Sequence, residues 1–520
     1  MLVGCNAQSS SDKSKERIRD NDGVYSYTTS EIKTLYIDVL SSELMPFYKA
    51  SGDQLINGEK PSFPVYVFGE EGRTTIDYPV SGIIQIKGKN SYIDHYRSFK
   101  ITLDNDDEIN GQRIFMLYKY PTDPIKITMK LGMDFYSLFE DIVSMRTEFV
   151  RLYLKDSTSG SDGYIDYGLY IFAENVGGRF LKTHSLDRNG ELYEIKNFDF
   201  SYETYINASE GERRRMLEYK NGEQPEKFEK MLKDINDSDN FEDAFNKYFN
   251  VDNYLTWLGS SILFGNYRAS TRDFLLYSPT DSEKWYFLPM VTDQIFLEEN
   301  DKGWSIPPKS FGGAGWFTNN KIHYQFLSDE DNRSKLQLKT QELLKVLDEN
   351  TINKMLIDYK KALSSFLIEG PDSGFQKLSA KDTELRINHT YQVILDNYEN
   401  FYENLNKPLP FEVGEPIFEK DHYELEWNEA ISRSKVTYKL VISKDIDAQD
   451  ILFETTTGDT YAMLPEELEG NLFIFLTAEN NVGTQSANCF EKGATKSVWG
   501  AKQAMFTKYT VIRDRELVLD

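Results

Sequence analysis

Runs of alternating apolar and polar residues recur through the first 200 positions of the chain. Because successive side chains of a strand point to opposite faces, this period of two predicts β-strands. The runs are Thr34–Leu40, Val65–Phe68, Gly82–Lys87, Phe99–Leu103, Phe149–Leu154, Tyr167–Glu174 and Leu192–Ile195. Between them, Ile125–Met145 carries apolar residues at helical spacing, so one helix is predicted there.

Helical spacing takes over after residue 208. Apolar stripes predict helices joined by polar linkers over residues 208–264 and again over residues 332–406. Gly265 is placed to end the first helical region. A hairpin of two apolar strands, Phe274–Tyr277 and Trp285–Leu288, follows it.

Short alternating strands return after Pro408 and Pro410, which end the helical region. They are Tyr423–Trp427, Tyr438–Ser443, Leu452–Thr455 and Leu472–Glu479. This pattern predicts a small all-β sandwich. Leu425–Trp427, Tyr438–Ile442 and the Thr477–Gly483 ending resemble a fibronectin type III module, which implies a spacer or binding module. The predicted fold class is therefore α+β, a mixed sheet with a helical lobe followed by the sandwich.

Composition narrows the classes of function. Hydrophobic residues make up 40% of the chain, which supports a large core. The formal net charge is −25, and a nucleic-acid partner is not expected because binding to phosphates needs a basic surface.

The start of the chain resembles a bacterial lipobox, Leu2-Val3-Gly4-Cys5, in which Cys5 would be lipid-modified. The polar run Ala7–Arg19 that follows has the composition of a tether. These residues predict an exported protein held by a lipid at the outer side of a bacterial cell membrane. A chance match to the lipobox stays open as the alternative.

Two carboxylates flank the central hairpin. Asp273 precedes its first strand, and Asp293 follows its second. Carboxylates at such strand ends are suited to hold a metal ion beside a phosphate. The alternative is that both residues only cap turns, where Asp is common.

The Gly- and Trp-rich segment 303–317 follows the hairpin. Two interpretations stay open for it: a lid over a cleft, or a loop anchored on the core by its aromatic residues.

Three segments in order along the chain resemble the CotH kinase family, over residues 33–405. The first is Ile86-Lys87-Gly88 with Ser98-Phe99-Lys100-Ile101. The second is Phe149–Tyr153 followed by Tyr167–Ile171 and Glu174. The third is the central stretch, in which the matching residues are Asn266, Phe274, Leu276, Tyr277, Trp285, Phe287, Pro289 and Asp293. The resemblance implies an atypical-kinase-like domain that uses ATP with Mg²⁺ or Mn²⁺.

The resemblance also implies roles for particular residues. Lys100, with Lys87 and Glu174 nearby, matches the family's nucleotide-facing positions. Asp273 and Asp293 match positions that hold the metal ion.

The sequence departs from the family pattern at two expected acids. Arg268 stands where the acid that orients the acceptor hydroxyl is expected, and Val291 stands where a metal-binding Asp is expected. Arg does not accept a proton at ordinary pH, and Val does not ligate a metal. Met290 replaces a Trp, Asp273 replaces an Asn, and Lys87 replaces an Arg.

Three functional hypotheses follow from these residues. The first is a surface lipoprotein and degenerate kinase that binds or assembles a protein or glycan partner at the cell envelope. The second is an active kinase of altered mechanism, in which Asp273 ligates the metal and Arg268 stabilises phosphate charge. The third is a structural or carbohydrate-binding envelope protein.

The predicted division of the chain follows from the same patterns. Residues 1–32 form the lipobox and tether, residues 33–407 the CotH-like domain, and residues 408–493 the sandwich. Residues 494–520 form a tail that shows no clear pattern.

Overall fold

The computed structural model describes residues 18, 20, 31–40, 62–69, 79–87, 97–109, 111–119, 123–156, 163–290, 293–298, 312–375, 378–414, 417–419, 422–445, 448–465, 468, 470–487, 507–512 and 516–519. Cys5, Val291 and the segment 299–311 lie outside this set, so the predictions that depend on them are not tested by the structure. No helix in the described ranges is both long and apolar enough to cross a lipid bilayer.

Alternating apolar residues in the first part of the chain form a closed seven-stranded barrel. Its strands are β1 (Ile32–Val39), β2 (Ser62–Gly69), β3 (Val80–Lys87), β4 (Ser98–Leu103), β5 (Ile114–Tyr118), β6 (Thr147–Asp156) and β7 (Ile165–Glu174). The strand order is β1-β2-β3-β4-β5-β7-β6. Parallel pairing of β1 with β6 closes the barrel, while the other neighbours are antiparallel. The inward residues of each strand, such as Phe99, Ile101 and Leu103 of β4, fill the interior.

A second, four-stranded sheet carries the central hairpin. Its strands are β8 (Glu191–Ile195), β9 (Leu217–Asn221), β10 (Phe274–Ser278) and β11 (Tyr286–Pro289), in the order β11-β10-β8-β9. Every residue of β10 and β11 is buried, because helices cover this sheet. The predicted hairpin is therefore confirmed, within one residue at each end.

Helices surround this second sheet and share one large apolar core with the outer face of the barrel. They are α1 (Thr128–Tyr136), α2 (Gly178–Thr183), α3 (Tyr202–Asn207), α4 (Glu210–Met216), α5 (Glu226–Asn236), α6 (Phe241–Tyr248), α7 (Val251–Leu263), α8 (Lys321–Ser328), α9 (Glu330–Val346), α10 (Glu349–Ile368), α11 (Ala380–Asn388) and α12 (Thr390–Asn404). Asn253 on α7 fixes the hairpin, because its side-chain amide bonds both backbone groups of Phe287.

The helix predicted over Ile125–Met145 is wrong for most of its length. The structure keeps only Thr128–Tyr136 as a helix, and residues 137–146 run as turns and extended chain. These turn residues are nonetheless mostly buried, because they pass through the core between the barrel and the helices. Because this segment is buried on both sides, its apolar residues fall at spacings that resemble those of a helix. The strand β9 inside the predicted helical region 208–264 was also missed, and so was β5.

Part of the Gly- and Trp-rich segment is described. Ala314, Trp316 and Phe317 are buried, and a 3-10 turn spans Ala314–Phe317. Residues 312–317 are thus anchored on the core, as the second interpretation of this segment expected.

Two further sheets follow residue 410. One contains β12 (Ile417–Glu419), β13 (His422–Glu426) and β16 (Tyr461–Leu464). The other contains β14 (Thr437–Ser443), β15 (Ile451–Thr457), β17 (Gly470–Glu479), β18 (Thr484–Ser486), β19 (Thr507–Ile512) and β20 (Glu516–Leu519). Trp427, Tyr438 and neighbouring aliphatic residues form a core of their own. The C-terminal region is therefore all-β, and strands from the predicted tail extend its larger sheet.

Candidate functional site

A tight turn after α7 positions the candidate site. Gly265 has a φ of +69°, a conformation that favours glycine, and it ends the helix as the sequence predicted. The side-chain amide of Asn397 donates to the carbonyl of Leu263, in the last turn of the helix, at 3.0 Å. A short 3-10 turn, Tyr267–Ser270, then leads into β10. Asp273, which has a φ of +61°, turns the chain into that strand.

Arg268 and Asp273 form an ion pair across this turn, through the Nε of Arg268 and the Oδ2 of Asp273. Both side chains are about one quarter exposed, at 24% and 25%. The Arg that replaces the expected acid therefore binds the residue that replaces the expected Asn. Oδ2 of Asp273 accepts from Arg268, and a metal ion bound by Asp273 would have to compete with Arg268 for this oxygen.

Asp293 lies close to this pair. Burial raises the pKa of Asp293 to about 6, and the charge of Asp123 adds to this effect, whereas Arg268 opposes it. The structure thus brings Arg268, Asp273 and Asp293 into one electrostatic cluster, which we call the loop cluster. It also adds Asp123, which the sequence analysis missed.

Asp123 has its own hydrogen-bond partners. Its carboxylate accepts from the amides of Ile125 and Thr128, at 3.0 and 2.9 Å, and from the Thr128 hydroxyl at 2.8 Å. It is fully buried, and burial raises its pKa despite these bonds. No local pattern marked Asp123 as part of this site, because its nearness to Asp293 depends on the tertiary fold.

The loop cluster does not fit a divalent cation. Mg²⁺ takes about six oxygen ligands, several of them from carboxylates and water. Asp273 is engaged by Arg268, and Asp123 accepts from the amides and hydroxyl at the start of α1. Across the ranges that the structure describes, no group of three or more His, Cys, Asp or Glu side chains is arranged to hold a metal. We therefore derive no step through a metal ion.

Lys87 and Lys100 lie together on the outer face of the barrel. In the β3–β4 register Lys87 pairs with Ser98, and Gln85 pairs with Lys100, so the two lysines are diagonal neighbours. Lys100 also pairs with Met116 on β5, which belongs to the core shared with the helices. The two predicted nucleotide-facing lysines therefore share a face, on the side of the barrel that meets the helical lobe.

Glu174 lies in a buried polar environment. It is fully buried at the end of β7, where it accepts from the Arg146 amide at 2.9 Å and from Gln112 Nε2 at 3.1 Å. Its Oε2 lies 2.7 Å from Nε2 of His184. These partners make Glu174 the centre of a buried polar network, while its predicted part in nucleotide binding stays a prediction.

The network reaches the start of the chain through His184. Nδ1 of His184 lies 2.7 Å from a carboxylate oxygen of Asp20, so this imidazole bridges two carboxylates. Burial lowers the pKa of His184, but Glu174 and Asp20 outweigh it and raise the pKa to about 9. Ile18 is buried in the main core. Ile18 and Asp20 thus contact the domain, and no pattern in the sequence predicted these contacts.

Comparison with known proteins decides the family. Residues 84–407 match a family model described as CotH kinase protein, which covers well over half of the chain. The chain belongs to the CotH kinase family.

Relatives in this CotH family are distant. Invasin CotH2 of Rhizopus delemar is 25% identical over 274 residues, which are 49% of this chain and 44% of that protein. Inner spore coat protein H of Bacillus subtilis is 24% identical over 239 residues, which are 42% of this chain and 62% of that protein. The chain thus covers less than two thirds of either relative.

One solved structure is also similar, that of a Helicobacter pylori proinflammatory kinase, CtkA. It aligns with 58% of this chain and 94% of its own at 10% identity. The TM-score is 0.27, and a likeness this low carries no argument.

Two departures of this CotH chain from the family pattern adjoin β11. Met290 stands where a Trp is expected, and it is half-buried and packs against the main core. Val291 stands where an acid is expected. This departure is known from the sequence alone, because Val291 lies outside the described residues.

Proposed function

We propose that this chain is a degenerate CotH kinase, which acts as a binding or assembly protein at the bacterial cell envelope. One observation carries the proposal: the position expected to orient the acceptor hydroxyl holds Arg268, and this Arg is ion-paired with Asp273. A guanidinium accepts no proton at ordinary pH, so the loop has no general base at this position.

The ion pair also weighs against the active-kinase alternative. That alternative needs Asp273 to ligate a metal and Arg268 to contact the transferred phosphate. Each residue is instead bound to the other, and separating them exposes two partly buried charges. The family resemblance implies phosphate transfer from ATP with Mg²⁺ or Mn²⁺. We therefore do not propose that this chain carries out that transfer.

The envelope location is supported by two independent observations. The lipobox-like Cys5 and its polar tether are features of an exported lipoprotein. The relatives include an inner spore coat protein and an invasin, names that place those proteins at a surface. The proposed partner is a protein or a glycan of that surface, and the membrane is contacted only through the lipid.

The C-terminal region supports a fibronectin type III-like binding or spacer module. The rings of Trp427 and Tyr438 are buried with centroids 5.5 Å apart, and the Tyr438 hydroxyl accepts from the amide of Ala430 at 2.8 Å. A buried Trp and a Tyr bonded to upstream backbone are features of such sandwiches. The module also contacts the helical lobe, where the Tyr324 hydroxyl donates to the carbonyl of Glu429 at 2.6 Å.

Phosphate transfer tests the central proposal. The protein is incubated with ATP labelled on the γ-phosphate and Mg²⁺ or Mn²⁺, and label on the protein or on a general acceptor is measured. We expect no more transfer than with Asp273→Ala. Metal-dependent transfer that this variant abolishes would refute the degenerate-kinase proposal.

A double variant that restores the acids gives the positive control. Arg268→Asp with Val291→Asp frees Asp273 and returns both expected carboxylates. We expect this variant to gain thermal stabilisation by ATP that depends on Mg²⁺, which the unchanged protein lacks. Equal metal-dependent stabilisation of both proteins would contradict the proposal.

The lipid anchor has its own test. We expect radiolabelled fatty acid on the protein made in a bacterial host, and loss of the label in Cys5→Ser. A soluble, unlabelled product from the unchanged sequence would refute the anchor.

A further inference from the structure

A cleft lies between the helical lobe and the C-terminal region. Its volume is about 290 Å³, at the lower end of the ~300–1,000 Å³ that small-molecule sites occupy. Tyr324 and Ser328 of α8 form one wall, and residues of the loop 429–436 with Tyr438 form the other. Ligand sites often lie where two parts of a chain meet, because their surfaces together form a concave wall. The cleft contains no residue of the loop cluster, so it is a separate site.

Hydrogen bonds fix both walls of the cleft. The Tyr324 hydroxyl donates to the carbonyl of Glu429 at 2.6 Å, which joins one wall to the other. The amide of Ala430 donates to the Tyr438 hydroxyl at 2.8 Å, which ties the loop to β14. Further along the loop, the Ser432 hydroxyl accepts from a side-chain amide at 2.9 Å. The cleft is therefore preformed, and a ligand pays little entropy for ordering it.

The serine hydroxyls of the cleft retain both kinds of hydrogen-bonding capacity. Ser328 and Ser434 each donate to an oxygen of the protein, so their lone pairs are left to accept. Ser432 instead accepts two bonds, and among the described residues its own proton has no acceptor. The cleft therefore offers donors and acceptors side by side.

One carboxylate and one ammonium group also line the cleft. The side chains of Glu429 and Lys435 are exposed, and neither forms an ion pair within the described part of the chain. Their charges sum to zero, so these two groups favour no net charge in a ligand. The whole chain has a net charge of −25, which disfavours the approach of an anion.

We propose that this cleft binds the end of a neutral glycan chain. The proposal rests on the proposed function, because it names a glycan as the partner at the envelope. Each hydroxyl of a sugar both donates and accepts, which matches the serine hydroxyls, Glu429 and Lys435. The C–H faces of a sugar ring are apolar and pack against an aromatic ring such as that of the half-buried Tyr324. Glu429, Lys435 and Gly458 are exposed at the mouth of the cleft, where the rest of the glycan leaves it.

A folded protein or an anion fits the cleft less well than a neutral sugar. A stable protein interface buries about 800 Å² of each partner, and such a surface is not confined to a cleft of about 290 Å³. A phosphate or carboxylate group only accepts hydrogen bonds, so it leaves the acceptor hydroxyls unmatched and meets Glu429 as a like charge. A short peptide is the remaining alternative, and the binding test distinguishes it.

A glycan array tests the proposal directly. The labelled full chain is applied to immobilised neutral hexose and N-acetylhexosamine oligosaccharides, to sialylated and phosphorylated oligosaccharides, and to short peptides of Gly and Ser. Competition by the soluble form of the best-bound oligosaccharide gives its Kd. We expect binding to neutral oligosaccharides and none to the anionic ones or the peptides. No binding to any neutral oligosaccharide, or binding to the peptides alone, would overturn the proposal.

Glu429→Gln and Lys435→Gln assign the binding to the cleft. We expect each variant to raise the Kd by about fivefold or more, because a charge-assisted hydrogen bond to the sugar becomes a neutral one. We expect the Tm of both variants to stay unchanged, because both side chains are exposed and form no ion pair among the described residues. Glu426→Gln is the matched control, since it removes an exposed carboxylate of β13 that does not line the cleft, and it should change neither quantity.

The outcomes separate this inference from the proposed function. Glycan binding that both Glu429→Gln and Lys435→Gln leave unchanged lies elsewhere on the chain and overturns the cleft as the site. The degenerate-kinase proposal survives that result, because it falls only to metal-dependent phosphate transfer. Neutral glycan binding that both variants weaken supports the cleft whatever the transfer assay shows.

Discussion

The bridge from Asp20 through His184 to Glu174 predicts how stability depends on pH. His184 is fully buried between two carboxylates, and its pKa rises from an ordinary 6.5 to about 9. A raised pKa means that the folded protein holds the proton more tightly than the unfolded chain does. The stabilisation is therefore complete below pH 6.5 and is lost as the pH rises towards 9.

The size of this effect follows from the shift. One pKa unit corresponds to about 1.4 kcal/mol, so the shift of His184 corresponds to ~3 kcal/mol between its two limits. Asp20→Asn removes one of the two carboxylates that raise the pKa. We expect the pKa of His184 to fall, and the pH-dependent stabilisation to fall with it by about 1.4 kcal/mol for each pKa unit.

Two measurements check this expectation. Histidine labelled with ¹³C at Cε1 gives the pKa of His184 by NMR, and His184→Gln assigns the signal. Urea unfolding at pH 6.5 and 9.5 gives the loss of stability, which should be smaller in Asp20→Asn and smallest in His184→Gln. His389→Gln is the control, because His389 is half-exposed and bonds Glu298 away from this network.

Either of two results would refute the reasoning. One is a pKa of His184 that stays near 6.5 in the folded protein. The other is an identical loss of stability between pH 6.5 and 9.5 in Asp20→Asn and in the unchanged protein. Both would mean that the start of the chain does not hold His184 in its charged form.

Three other predictions follow from buried groups. Gly168→Ala should destabilise the barrel by about 1–3 kcal/mol, because Gly168 has a φ of +75° and an added Cβ would lie 1.9 Å from the carboxylate of Asp372. Thermal unfolding measures this loss, and an unchanged Tm would contradict it. Tyr438→Phe should cost ~1 kcal/mol through the lost bond to Ala430, with the midpoint of urea unfolding as the readout and an unchanged midpoint as the opposing result. Burial lowers the pKa of His323 to about 3, so the stabilisation by neutral His323 is present above pH 6.5 and is lost as the pH falls. At pH 5 we expect a loss of about 2 kcal/mol in the free energy of unfolding. His323→Gln should lose less over the same pH range, and an equal loss would contradict the assignment.

The sequence by itself determined most of the local structure. Alternation predicted strands such as Phe99–Leu103, and the hairpin of Phe274–Tyr277 with Trp285–Leu288 came within one residue of the structure. These features depend on neighbours along the chain, which a pattern of period two records directly. The replacement of expected acids by Arg268 and Val291 was also read from the sequence, because it requires only identity and position.

The tertiary structure decided which residues meet. The parallel pairing of β1 with β6 closes the barrel across more than 100 residues of chain, and no local pattern encodes that pairing. The contact between Asp20 and His184 spans 164 positions, and it helps to make Glu174 the centre of a buried network. The neighbourhood of Asp123 and Asp293 depends on the fold in the same way.

The same distinction explains why the helix predicted over Ile125–Met145 is wrong for most of its length. The apolar spacing of Ile125–Met145 predicted one helix, but residues after Tyr136 are buried as turns between the barrel and the helices. Apolar spacing reports that a segment is buried, whereas its backbone hydrogen-bond partners decide its conformation. At the candidate site, the sequence supplied the residues Arg268, Asp273 and Asp293. Only the fold paired Arg268 with Asp273, because this relation depends on distances that the order of residues does not contain.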